Sequence, residues 1–178
     1  KVLSPDTHIW IGEKKKKIIK RNSLLKPIFG SQGKGIILVK KNTNLSEMKS
    51  SGNVFYLQNF VGEIRDQKFS DLRVLVSNHK VIASMERESE SFLTNVYQGA
   101  SYHRVQISSE IIKLSEKISR IFKLGYGGID IKVINKKNFV LEINSIPSWK
   151  NINRIYKKDL SEKLVKDFIK IIKNFKKC

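Results

Sequence analysis

Residues 128–144 constrain this chain more than any other segment. Two apolar runs, 128–134 and 139–144, are joined by polar Asn135-Lys136-Lys137, the pattern of a β-hairpin. Side chains alternate along a strand, so Asp130 and Lys132 share a face of the first run, and Glu142 and Asn144 share a face of the second. A connection of three residues sets Asp130 opposite Glu142 or Asn144; one of even length sends them to opposite faces. Like charges directly opposed on a sheet are destabilising. At about 4 Å and an effective dielectric near 20, the repulsion is on the order of 4 kcal/mol. Ile129, Ile131, Leu141 and Ile143 bury the hairpin's other face, so the acids need something to offset them. A divalent cation does this economically, because two carboxylates and an amide oxygen are hard donors suited to Mg²⁺. The alternative is a carboxylate pair satisfied by nearby lysines on a solvated face.

Glycine punctuates a second segment, Gly30-Ser31-Gln32-Gly33-Lys34-Gly35. Glycines let the backbone approach a ligand closely and turn its N–H groups inward, as an anion cradle requires. No lysine and hydroxyl pair follows Gly35, so the loop is not a P-loop. It runs into the apolar strand 36–39 rather than a helix, so it is not the dinucleotide fingerprint either. Taken alone it equally describes a flexible turn. Lys26, on the strand just before it, puts a cation within reach of the same anion.

Around these segments, residues 8–11, 24–29, 54–58, 72–76 and 81–85 read as strands, the last two flanking an Asn78-His79 turn. Residues 45–50 read as a short helix and 62–70 as a loop. Residues 88–107 lack periodicity and read as a long loop. Ile111, Leu114, Ile118, Ile121 and Phe122 recur at helical spacing, with Ser108 at the start, Glu110 in the first turn and Gly125 just past the end. Residues 160–175 form a basic amphipathic helix, read as packing against a core. Asp71, Arg73, Glu86 and Arg87 cluster on adjacent strands, where an ion-pair network explains them nearly as well as ligand contacts.

The 178 residues suffice for one domain or two small lobes, and 40% apolar with 9% aromatic residues is an ordinary globular composition. The net charge of +19, from 35 basic and 16 acidic residues, attracts anions at long range. The lysines are dispersed, however, and the Lys14-Lys15-Lys16-Lys17 run reads as an exposed turn, so charge alone names no partner. The single cysteine, Cys178, excludes a disulfide framework within the chain and suits a reducing, cytoplasmic setting. No apolar run reaches the roughly 20 residues of a membrane-spanning helix. His8, His79 and His103 are dispersed and make no zinc spacing. The chain begins at Lys1 rather than methionine, so it reads as a fragment whose true N-terminus is missing.

In order, these segments resemble the ATP-grasp superfamily, most closely the RimK-type alpha-L-glutamate ligases, from about Leu24 to Trp149. The resemblance is carried by Lys26-Pro27-Ile28-Phe29-Gly30-Ser31-Gln32-Gly33-Lys34-Gly35, Asp71-Leu72-Arg73-Val74-Leu75-Val76, Ala83-Ser84-Met85-Glu86-Arg87, Gly128-Ile129-Asp130-Ile131 and Leu141-Glu142-Ile143-Asn144-Ser145-Ile146-Pro147. It implies an α+β ATP-grasp fold, two lobes of mainly antiparallel sheet with ATP between them. The smaller lobe is expected at 1–57 and the larger at 58–178, with the family's N-terminal domain absent. Lys26 is expected on the α- and β-phosphates, and Gly30, Ser31, Gln32, Gly33 and Gly35 over the phosphates. Gln58, Asn59, Phe60 and Val61 would hold the adenine, Asp71 the ribose, and Thr94 and Asn95 would approach the nucleotide. Arg87 and Lys26 are the expected catalytic residues, Arg87 near the transferred phosphate. Asp130, Glu142 and Asn144 are the expected ligands of Mg²⁺, or of Mn²⁺ in its place. The implied reaction joins a carboxylate to an amine through an acyl phosphate, with glutamate as the added amino acid and a protein or cofactor carboxylate as acceptor. A homo-oligomer is compatible with it; a membrane and nucleic acid are not expected as partners. The chain departs from the family pattern at Asn59, where an acid is usual, at Leu93, where a base is usual, at Ser148-Trp149 after the proline, and in a longer loop before Asp71. The rival readings are a basic, non-enzymatic RNA- or ribosome-binding module and an ATP-binding fragment inactive without its missing domain.

Overall fold

The computed structural model describes residues 1–11, 18–48, 54–62, 67–157 and 159–175. The Lys14–Lys17 run, Lys49, Ser50 and Cys178 lie outside the described residues. Among those described, two antiparallel sheets and three α-helices form the α+β architecture expected of the sequence.

The first sheet has the order β1-β4-β2-β3, with β1 at Thr7–Ile11, β2 at Ser23–Lys26, β3 at Ile37–Val39 and β4 at Val54–Asn59. Alternation in β2 and β4 buries Leu25, Phe55 and Leu57 together with Val39, Ile19 and Leu45. The strand read at 24–29 stops at Lys26, because Pro27 has no N–H to continue the ladder. The helix read at 45–50 is a single 3₁₀ turn, Leu45–Glu47, whose Ser46 N–H donates to the Asn44 side chain at 3.2 Å.

The second sheet has the order β7-β6-β5-β8-β9, with β5 at Phe69–Ser77, β6 at Lys80–Ser89, β7 at Ser101–Arg104, β8 at Tyr126–Ile134 and β9 at Lys137–Asn144. The loop read at 62–70 therefore already yields to strand at Phe69. Asn78 and His79 both take positive φ, 46° and 59°, which matches the twist of a two-residue hairpin. His79 is held there by a 3.0 Å contact between its Nδ1 and the Ser119 hydroxyl.

One face of this sheet packs against helix α1, Ser109–Ile121, burying Val74, Val76, Ile118, Ile129 and Ile131. Ser108 caps α1 by accepting from the Ile111 N–H at 3.3 Å. The left-handed residue that ends α1 is Lys123, at φ 51°, and the Leu124 N–H returns to the Ser119 carbonyl at 2.9 Å. Gly125 does not supply the cap. Part of the sheet's other face is covered by Ile152 of helix α2, Lys150–Tyr156, and by Leu160 at the start of helix α3, Leu160–Phe175, packed with Leu75, Ala83 and Met85. Val165, Phe168, Ile169 and Ile172 of α3 are exposed, so the packing expected of its apolar face is not seen. The remainder of that face is charged and open.

The stretch 88–107 is not one long loop: β6 runs to Ser89, a 3₁₀ turn covers Val96–Gln98, and β7 pairs with β6. As an edge strand with only Tyr102 half-buried, β7 shows no alternation to read. The N-terminal residues run along β9, where the Val140 N–H donates to the Leu3 carbonyl at 2.9 Å. They touch the second sheet before the chain enters the first.

The α1 face of the second sheet should govern stability. Ile129→Ala, at a position 0% exposed, is expected to cost roughly 2–5 kcal/mol in urea unfolding. Val133→Ala, at 44% exposure on the same strand, should change it by no more than about 0.5 kcal/mol.

Candidate nucleotide and metal site

Strand register decides which side chains meet on the open face. Asp71 pairs with Arg87, Arg73 with both Met85 and Asp130, Asp130 with Glu142, and Gly128 with Asn144. Directly paired residues share a face, so Asp71, Arg73, Arg87, Asp130, Glu142 and Asn144 form one surface. The hairpin reaches this arrangement by a different route from the one expected. Its turn has two residues, Asn135 and Lys136, with φ of 48° and 60°, and Ile134 pairs with Lys137. An even turn alone would turn Glu142 away from Asp130. A register shift between Asp130 and Ile131, whose partners are Glu142 and Val140, inserts Leu141 as an extra residue and brings the acids back together.

Arginines, rather than lysines or solvent, answer the buried acid. Arg73 donates to Asp130 through Nε at 2.7 Å and through a terminal nitrogen at 2.6 Å. Arg87 donates to the same Asp130 carboxylate at 2.9 Å and to Asp71 through Nε at 2.6 Å. The Thr94 hydroxyl donates to Asp71 at 2.8 Å. Burial pushes the Asp130 carboxyl up, but Arg87 and Arg73 outweigh it and hold the group below its ordinary range. Burial pushes Asp71 up despite Arg87, and repulsion from Asp130 adds to the rise. Burial works against the Arg87 charge, yet the two acids more than offset it and raise its pKa. Glu86 leaves the cluster: it lies on the opposite face of β6 and meets His103 at 3.5 Å.

Glu142 and Asn144, by contrast, have side chains with no hydrogen bond or ion pair among the described residues. Both line a cleft of about 1290 Å³ between the sheets. Lys26 projects into it from β2 and also has no hydrogen bond or ion pair. Burial lowers the Lys26 pKa, while Glu142 and Asp130 act to raise it, so the ammonium lies within their field. Among the described residues no group of three or more His, Cys, Asp or Glu side chains is arranged for a metal. The donor set on this face is two acids and an amide, of which Glu142 and Asn144 stand free and Asp130 is held by arginines. Hard oxygen donors without protein partners fit a Mg²⁺ ion that shares its shell with phosphates.

The glycine loop roofs the cleft, with Gly30, Ser31, Gln32 and Gly33 along its wall. Gly33, at φ +75°, lies so close to Asn95 that a Cβ would sit 2.6 Å from the amide oxygen. The Gln98 side chain donates to the Gln32 carbonyl at 3.2 Å, and the Lys34 ammonium lies 5.0 Å from the Tyr97 ring centroid. Gly35 packs on Pro27 at the loop's root. The loop of one sheet is thus fastened to the 3₁₀ turn beside the other. A smaller pocket beside Lys26 is lined by Gln58, Asn59, Phe60 and Val61, expected to hold the adenine, by Asp71, expected at the ribose, and by Thr94, expected to approach the nucleotide. In that segment the Asn59 and Phe60 N–H groups already donate to the Asp6 and Asn22 carbonyls, each at 2.8 Å.

Several residues enter this site, or find their partner in it, only through the fold. Leu141, the bulge residue, lines both pockets. Lys132 lines the smaller one and donates to the Ser70 carbonyl at 2.7 Å. Tyr97 and Gln98 fell within the stretch taken as loop. Arg73 had the signal of strand alternation with Asp71, but its partner Asp130 lies 57 residues away, beyond any local pattern.

A two-lobed α+β arrangement with a nucleotide-sized cleft between antiparallel sheets defines the ATP-grasp class. The fold matches the ATP-grasp ligase PsnB, complexed with minimal precursor, Mg and ADP, at a TM-score of 0.64 and 16% identity over 93% of this chain and 54% of that one. It matches the D-alanine–D-alanine ligase of Bacillus anthracis at a TM-score of 0.67 and 12% identity, covering 97% of this chain and 64% of that one. Within the class, the chain belongs to the RimK-like ATP-grasp domain family, whose model matches residues 4–168. It is 34% identical over 160 residues to the tetrahydromethanopterin:alpha-L-glutamate ligase of Methanocaldococcus jannaschii, covering 85% of this chain and 55% of that protein. It is 33% identical over 153 residues to a probable alpha-L-glutamate ligase of Maridesulfovibrio salexigens, covering 82% of this chain and 49% of that one. The chain therefore spans about half the length of the curated relatives it matches. No helix of the described residues is long and apolar enough to cross a membrane.

The Asp130 cluster should give stability a particular pH dependence. The folded pKa of Asp130 lies below its unfolded value of about 3.9, so its contribution is complete above about pH 4 and is lost as the pH falls through the lowered folded value. Asp130→Asn leaves two guanidinium groups short of a counter-charge and should cost roughly 3–5 kcal/mol at neutral pH. Chemical denaturation at a series of pH values should show the gap to wild type narrowing below about pH 4.

Proposed function

We propose that this chain is the nucleotide- and metal-binding part of an ATP-dependent carboxylate–amine ligase. The observation that carries this reading is Lys26: a half-buried ammonium, without hydrogen bond or ion pair, set between a glycine loop and the acids of β8 and β9. Desolvating a cation costs free energy, and a phosphate anion in the cleft would repay it through charge-assisted hydrogen bonds.

ATP would lie between a lobe of residues 1–57 and one of residues 58–178. Its adenine and ribose would occupy the smaller pocket, against Gln58, Asn59, Phe60 and Val61 and beside Asp71 and Thr94. Its phosphates would reach Lys26 and the backbone of Gly30, Ser31, Gln32, Gly33 and Gly35, with Asn95 alongside. A carboxylate oxygen attacks the terminal phosphorus in line, giving an acyl phosphate and ADP. An amine then attacks the acyl carbon; the C–N bond forms and inorganic phosphate departs with the C–O electron pair. Such transfer depends on positioning and on neutralising phosphate oxygens, not on a protein nucleophile. Lys26 and Arg87 supply that positive charge, and the fastened glycine loop keeps water from the acyl phosphate. Asp130, Glu142 and Asn144 would hold Mg²⁺, which when bound draws charge from the phosphate oxygens. The names of the relatives support glutamate as the amine and a pterin-type carboxylate as one acceptor; a protein carboxylate as the alternative acceptor and a cytoplasmic setting are part of the same proposal.

Binding of ADP and of a non-hydrolysable ATP analogue to this chain, with and without Mg²⁺, tests the reading. Lys26→Met should weaken nucleotide binding roughly tenfold or more, the worth of a charge-assisted hydrogen bond. Asp130→Ala combined with Glu142→Ala should abolish the Mg²⁺ dependence. Unchanged Mg²⁺ dependence in the double variant, or steeply salt-dependent binding to RNA without any nucleotide affinity, overturns it.

A further inference from the structure

Three acids and three bases gather at the cleft: Glu142, Lys26, Arg73 and Arg87 line it, and Asp71 and Asp130 are held by the two arginines. Their formal charges cancel, so the face offers a dication little net attraction until another anion arrives. Asp130 is further committed by its geometry. A carboxylate has about four lone-pair sites. The Arg73 fork takes one on each oxygen, and Arg87 takes a third.

The two arginines are not equally free to leave. Arg87 is 3% exposed and is anchored by bonds to both Asp71 and Asp130. Arg73 is 17% exposed, lines the cleft, and directs both of its side-chain hydrogen bonds to Asp130. It can exchange a carboxylate for a phosphate by moving only its own side chain, and a guanidinium fork fits either partner.

We propose that Arg73 is a positioning residue that withholds Asp130 from divalent metal until nucleotide phosphates enter the cleft, so that metal and nucleotide bind in a set order rather than independently. The inference rests on the nucleotide reading above and adds to it a role for a residue outside the expected ligand set. Phosphates supply the missing negative charge and a second partner for Arg73; Asp130 then turns to the metal. Without nucleotide, a metal ion would have to displace or approach two guanidinium groups.

Mn²⁺ serves as the probe, with free and retained ion counted by electron paramagnetic resonance on the whole 178-residue chain. Wild type should retain Mn²⁺ weakly alone and roughly tenfold or more tightly with ADP, after correction for Mn²⁺ bound to ADP in solution. Arg73→Gln should gain roughly tenfold or more in nucleotide-free Mn²⁺ affinity, and adding Asp130→Asn should remove the gain. Arg73→Lys, which keeps the charge but not the fork, should recover only part of the wild-type order. Wild type that binds Mn²⁺ equally well with and without ADP overturns the proposal, and this comparison needs no variant to fold. So does an Arg73→Gln protein with a cooperative unfolding transition and no gain in metal affinity. Loss of ADP binding by wild type would instead sink the nucleotide reading itself.

Discussion

The rest of the structure is organised around the ion row of Asp71, Arg87, Asp130 and Arg73. Arg87, on β6, reaches two acids on the same side of its strand, Asp71 on neighbouring β5 and Asp130 on β8 beyond it, and Arg73 closes on Asp130 from β5. All four groups are largely withdrawn from water. Removing charges from water costs several kcal/mol per ion, and well-packed apolar residues of similar volume often serve stability as well or better. A row of charges in the middle of a sheet is therefore better explained by what it holds in place than by the strength it adds. It holds one acid, Asp130, beside the unpartnered Glu142 and Asn144, which line the cleft.

The sheet can carry that row because its other face is apolar and closed. Val74, Val76, Ile129 and Ile131 pack on α1 with essentially no exposure, so the strands cannot slip by one residue without sending this core to the cleft. The register that places Asp130 opposite Glu142 is thus secured from behind. On the open side, α2 and the start of α3 cover the part near Leu75 and Met85 and leave the acid part free. The bulge at Leu141 reconciles the two demands: it corrects the parity of a two-residue turn and sets an apolar side chain at the junction of both pockets.

The cleft's second wall comes from a sheet that shares no strand with the first. Phe60, just after β4, meets Phe69 of β5 edge to face with ring centroids 6.1 Å apart, whereas the glycine loop is held by Gly33 against Asn95 and by the exposed Gln98–Gln32 hydrogen bond. Such contacts open more readily than a core does. The glycine-loop roof is therefore tied down by bonds that can be broken and remade, while Asp130, Glu142 and Asn144 ride on a rigid sheet. That division suits the nucleotide site proposed above, which would have to admit its ligand and then exclude water.

By itself, the sequence determined the strands and helix whose apolar periodicity is local: the β5–β6 and β8–β9 hairpins, α1 with its Ser108 cap, and the glycine loop after Lys26. These depend on neighbours within a few residues; the pairing of acids across the last hairpin did not, because the two-residue turn alone would have reversed it and the bulge at Leu141 restores it. Tertiary structure alone decided the rest. β7 was hidden because an edge strand half open to water needs no alternation, and Gly125 yielded the helix cap to Lys123 because the turn's geometry, not its residue type, set the left-handed position. The partnership of Arg73 with Asp130 across 57 residues, and the choice of arginines over solvent to answer a buried acid, arise only when distant strands are laid side by side. Periodicity reports which way a side chain faces; it carries no information about what will stand opposite it once the chain has closed.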